Sequence, residues 1–113
     1  MLFQNKEVLQ AYFCKDAVIR WHCTNEIFSV QEYIKDNCDY PGEWDGEIER
    51  IYKAGETWIT VVCVFPRDKS ASFHAVSFIK LKEDRISEID EYWGAAGEAP
   101  EWRLNMRVGA AIR

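Results

Sequence analysis

The chain has 113 residues, 48% of them apolar and 29% charged, with a formal net charge of −5. That length fits one domain, residues 1–113, with a core of its own, and the composition excludes a disordered chain. An acidic balance without any Lys/Arg cluster excludes nucleic acid and anionic membranes as expected partners.

The first expected element is a helix over residues 6–13, where Val8, Leu9, Tyr12 and Phe13 share one face after Asn5 as a cap. The stretch AVIRWHCT, residues 17–24, is β-branched and aromatic and reads as a strand. Alternation puts Val18, Arg20 and His22 on one side and the apolar set Ile19, Trp21 and Cys23 on the other. Ser29 and Glu32 form an S-x-x-E capping box, so a helix opens at Val30, with Val30, Tyr33, Ile34 and Cys38 on one face and Pro41-Gly42 as its stop.

From Trp44 the period changes to that of strands: WDGEIERIY, TWITVVCVF, ASFHAVSFIKL and ISEIDEYW, separated by the turns KAGE, PRDKS and KEDR. Short loops between consecutive strands predict a four-stranded antiparallel meander. The two middle strands are apolar on both faces, which predicts a sheet covered on both sides, by the helices on one and by a second subunit on the other. A homodimer through the sheet is therefore expected.

No apolar run nears the ~20 residues that cross a bilayer, and the start MLFQNKEVLQ carries no basic leader, so a cytoplasmic location is expected. Cys14, Cys23, Cys38 and Cys63 never approach a C-x-x-C spacing and read as reduced thiols. A zinc site built from them with His22 and His74 lacks the usual ligand spacing, so neither a metal nor a cofactor is expected.

The order helix, strand, helix, then four strands resembles the nuclear transport factor 2-like superfamily, which includes ketosteroid isomerases and SnoaL-like polyketide cyclases. The resemblance rests on KEVLQAYFCKDAVIRW, FSVQEYI and EDRISEIDEYWG, and covers residues 5–94. It implies an α+β fold, cystatin-like, in which a strongly curved, cone-shaped antiparallel sheet wraps around helices. Members of the superfamily begin with a long helix that closes the concave face, and the chain starts where that helix would be ending. The expected replacement is a dimer partner, a swapped element or the C-terminal segment, where Trp102, Leu104, Met106, Val108 and Ile112 supply apolar groups. Gly94, Gly97 and Pro100 would let Trp102 fold back as a plug.

The resemblance also assigns the concave wall to Ile89, Glu91 and Trp93. The local alternation agrees, because Ile89 and Trp93 need burial and Glu91 goes with them. By the same resemblance the isomerases' general-base position holds Trp21 and their hydrogen-bond-donating acid position holds Ser77, so that mechanism is not expected here. Burial disfavours the charged form of Glu91 unless a cation or several donors hold it, which makes it the candidate general acid or base. Arg20, Arg50 and Arg103 are the arginines available to pair with it instead. His22 shares its face with Val18 and Arg20 and is expected to point away from the concave side, while His74 shares one with Val76 and Phe78 and reads as a core or interface histidine, so neither is a strong base candidate.

Two functions follow from these residues. One is a protein that binds a small apolar or planar molecule in a pocket lined by Trp21, Tyr33, Ser77, Ile89 and Trp93. The other is a cofactor-independent isomerase, cyclase or dehydratase that uses Glu91.

Overall fold

The computed structural model describes residues 6–39 and 42–112. The elements are α1 (Lys6–Ala11), β1 (Phe13–Trp21), β2 (Glu26–Ser29), α2 (Val30–Asp39), β3 (Trp44–Ala54), β4 (Thr57–Pro66), β5 (Phe73–Lys82), β6 (Arg85–Ala95) and α3 (Glu101–Asn105). The fold is α+β. Six strands form one curved, unclosed sheet in the order β2-β1-β6-β5-β4-β3.

The predicted meander is present as β3 to β6, each pair antiparallel. Gly55 supplies the positive φ of 61° for the KAGE turn. The β5–β6 hairpin closes on Glu83 and Asp84, with φ of 53° and 65°, as a two-residue turn whose twist matches the strands.

Three features depart from the expected pattern. The sheet is not wholly antiparallel, because β1 lies parallel to β6 with Ile19 opposite Ile89 and Trp21 opposite Glu91. The first helix stops at Ala11, and the strand begins at Phe13 rather than at residue 17. The competing interaction is visible: Ile86 N donates to Tyr12 O at 2.8 Å and Phe13 pairs with Ile86, which draws the end of the expected helix into the sheet. Finally, EIFS forms a short edge strand, β2, antiparallel to β1.

The α2 N-terminus follows the sequence closely. Glu32 N donates to Ser29 Oγ at 3.2 Å and Ser29 N donates to Glu32 Oε1 at 2.9 Å, the reciprocal capping box. Asn5 and Pro41, the expected cap and stop, lie outside the described residues.

The core sits between α1, α2 and the β1/β6 half of the sheet. Leu9, Ile19, Tyr33 and Ile89 are almost fully buried, with Phe13, Ala17, Val30, Ile34 and Ile86 around them. Each such aliphatic side chain contributes on the order of 1.5–3 kcal/mol by leaving water.

The sheet is not covered on both sides within one chain. On the face opposite the helices, Phe78 and Tyr92 are exposed, and at the far edge Ile48, Ile51 and Tyr52 are exposed as well. The expected plug is also absent. β6 runs through Gly94, Pro100 caps the N-terminus of α3, and Trp102 is 65% exposed with the Arg103 guanidinium over its ring. Leu104, Met106, Val108 and Ile112 are exposed too. The α3 segment buries no residue, so nothing in it offsets the cost of ordering it against the sheet.

Candidate functional site

Side chains directly opposite one another in a sheet share a face. The parallel register of β1 and β6 therefore places Trp21 beside Glu91, and the antiparallel register of β5 and β6 places Ser77 on its other side. The helix α2, fixed by its capping box, adds Tyr33 from above.

The result is a carboxylate only 2% exposed and surrounded by neutral donors. Ser77 Oγ donates to Glu91 Oε2 at 2.8 Å, while Tyr33 Oη and Trp21 Nε1 donate to Oε1 at 3.1 Å and 3.3 Å. Among the described residues no Lys, Arg or His forms an ion pair with Glu91. The arginine pairing left open by the sequence is not formed there. Arg20 turns to the opposite face and binds Glu88 at 2.9 Å and Asp90 at 3.4 Å.

Burial, and next the neighbouring Glu91 charge, push the Tyr33 phenol well above its ordinary value. Tyr33 is therefore held as a neutral O–H donor. The positions that the resemblance gives to the isomerases' base and acid, Trp21 and Ser77, here serve as donors to a carboxylate on a different strand.

Aromatic rings line the rest of the site. Trp21 packs edge-on against Phe28, Tyr33 and Trp93, with centroids 4.7, 6.2 and 6.0 Å away. Trp93 Nε1 is buried and has no hydrogen-bond partner among the described residues. Of the six residues singled out from the sequence, Glu91, Trp21, Tyr33 and Ser77 are joined by hydrogen bonds, and Trp93 joins them through Trp21. Ile89 lies in the hydrophobic core beneath them.

Sequence reasoning missed Phe28 as part of this wall. Its signal was the alternation in EIFS, since Phe28 stands opposite Ile19 in the β1–β2 register and so faces the helix side.

The opposite face of β6 is built differently. His22 Nε2 meets Asp90 Oδ1 at 2.7 Å, and the His22 ring stacks on Tyr92 with centroids 4.7 Å apart. Partial burial pushes the Asp90 carboxyl up, but His22 and Arg20 outweigh it and hold the group below its ordinary value. No helix among the described residues is long and apolar enough to cross a membrane.

No protein-family model and no curated protein matches the sequence. Solved structures are similar in fold. A proposed ketosteroid isomerase from Kribbella flavida is similar with a TM-score of 0.77 and 20% identity, covering 97% of this chain and 82% of that one. A nuclear transport factor 2-like protein of unknown function from Burkholderia xenovorans gives 0.73 and 18%, covering 96% and 84%. A hypothetical protein with a ketosteroid isomerase-like fold from Catenulispora acidiphila, in complex with trimethylamine, gives 0.67 and 13%, covering 80% and 76%. With the curved sheet order and the helix-capped carboxylate face, these likenesses establish that the chain has the nuclear transport factor 2-like fold.

Proposed function

We propose that the protein binds a small apolar or planar molecule on the helix-covered face, against Trp21 and Trp93, with Glu91 orienting it as a hydrogen-bond acceptor. The observation that carries this reading is the company of Glu91. A carboxylate has about four acceptor positions, and the three neutral donors leave one of them for a ligand. The partnerless Trp93 Nε1 adds a donor that a ligand acceptor would satisfy. The Catenulispora protein, in complex with trimethylamine, supports reading this fold as a holder of small molecules.

The enzyme reading is retained for one specific reason. Glu91 and Tyr33 touch, and the phenol is held protonated, so an acceptor and a donor stand side by side as general acid/base chemistry requires. In that case the reaction is a cofactor-independent isomerisation, cyclisation or dehydration. A homodimer through the open face, where Phe78 and Tyr92 are exposed, belongs to the same proposal.

Titration with 2-naphthol, a planar apolar probe carrying one O–H donor, tests the binding site by tryptophan quenching and saturation-transfer NMR. Saturable binding that weakens at least about tenfold in Glu91→Gln is the expected result, a loss of ~1.4 kcal/mol. Absence of saturable binding, or equal binding by the variant with no change in turnover, refutes the assignment of Glu91. A turnover lost in Glu91→Gln with binding retained would select the enzyme.

A further inference from the structure

The sheet gathers a second set of chemically capable side chains on its other face. Cys63 on β4 stands opposite His74 on β5, so their side chains project together. The neighbouring strand β3 carries a register shift between Ile48 and Arg50, and this bulge turns Glu49 onto the same face. Glu49 Oε1 lies 3.1 Å from His74 Nε2, and one donor atom from each of Glu49, Cys63 and His74 lies within 4.8 Å of the others.

We propose that Glu49, Cys63 and His74 form a binding site for a divalent transition-metal ion, with zinc(II) the best match. Zinc bonds of about 2.0–2.2 Å to nitrogen and oxygen set those two atoms about 3.3 Å apart in a tetrahedron. The observed 3.1 Å therefore already has the spacing of a shared metal edge. A zinc–sulfur bond of about 2.3 Å asks for roughly 3.6 Å from sulfur to the other ligands. The thiol then closes by about 1.2 Å at most, since no pair of these atoms exceeds 4.8 Å.

The donor set also selects the ion. A thiolate, an imidazole and one carboxylate suit zinc or cobalt and disfavour magnesium and calcium, which require oxygen shells. On binding, the Cys63 S–H bond is replaced by a metal–sulfur bond and its proton goes to solvent. His74 then binds through Nε2 with its ring proton on Nδ1.

Three protein ligands leave the fourth tetrahedral position to water, the arrangement of reactive rather than structural zinc sites. Glu47, directly opposite Cys63 in the register, adds negative charge to the same patch. The site is independent of Glu91, whose side chain lies on the other face of the sheet.

Cobalt(II) titrated into the reduced full-length chain is the test. The expected result is saturation at one equivalent with a thiolate-to-cobalt charge-transfer band, which zinc(II) then displaces and magnesium does not. Cys63→Ser abolishes the band. His74→Ala weakens cobalt binding at least about tenfold, because outer-shell changes alone cost roughly 10–100-fold. Cys38→Ser, at the α2 end of the core, leaves the band in place. Alkylation of Cys63 with and without zinc, read by peptide mass spectrometry on the unaltered chain, keeps the test valid should a variant fold poorly. A chain that gives no band, a band that survives Cys63→Ser, or alkylation of Cys63 indifferent to zinc overturns the proposal.

Discussion

Asp90 and Glu91 are consecutive residues of one strand, and the sheet gives them opposite settings. Asp90 faces outward and is held by the Arg20 guanidinium and the His22 ring, with its side chain 26% exposed. Glu91 faces inward, 2% exposed, and is held by a serine, a tyrosine and a tryptophan. The outer acid is spent on ion pairs. The inner one is solvated by groups that carry no charge, so its acceptor capacity is not neutralised by a counter-ion. The strand alternation that separates the two residues thus separates an acid held by charged partners from one held by neutral donors.

The largest test of this contrast removes the inner support. Tyr33→Ala deletes a fully buried ring and one donor to Glu91, and a loss of about 3–5 kcal/mol in urea unfolding is expected. A loss under about 1 kcal/mol would mean that Tyr33 does not pack as described.

The two acids can then be compared directly. Glu91→Gln keeps the volume but places an amide N–H₂ where donors converge, and should cost about 1–3 kcal/mol. Asp90→Asn, in a partly exposed network, should cost about 1 kcal/mol or less. Equal losses from the two substitutions would erase the distinction.

The third test uses alkali. The folded-state value of Tyr33 is raised, so below the unfolded value of about 10 both states carry the proton and its contribution is intact. As pH climbs above about 10 the unfolded chain releases the proton first, and stability falls by up to about 1.4 kcal/mol per pH unit. Tyr33→Phe should flatten that slope, measured as unfolding midpoints between neutral and alkaline pH. An unchanged slope would place the titration elsewhere.

The smallest effect concerns how the inner site is positioned. Ser29→Ala removes one arm of the capping box that sets the α2 start and should cost about 1 kcal/mol in thermal unfolding. Ser29→Asp, which keeps a capping oxygen, should restore most of it.

Much of this was legible in local patterns. The capping box, the meander and the inward set Ile89, Glu91 and Trp93 all follow from periods of 3.6 or 2 and from turn residues. The parallel pairing of β1 with β6 was not, because more than sixty residues separate Ile19 from Ile89 and no periodicity records which strands meet. That pairing decides the site, since it carries the Trp21 indole to Glu91. The end of the first helix was misplaced for a related reason: Phe13 completes a helical stripe, yet its long-range partner Ile86 wins it for the sheet. The Cys63–His74 juxtaposition was hidden in the same way, as spacing along the chain says nothing about ligands on adjacent strands.

The bulge that turns Glu49 toward His74 also acts on the rim of the sheet. β3 is an edge strand of 11 residues with Ile48, Ile51 and Tyr52 exposed, a length and composition that invite pairing with another chain. A flat edge would offer an uninterrupted row of backbone donors and acceptors. The shifted register at Ile48/Arg50 breaks that row near its middle and twists the strand, and Glu47, Glu49, Arg50 and Lys53 surround the break with charge. Deleting Glu49 would straighten the strand and remove that break, leaving a longer unbroken edge open to pairing with another strand.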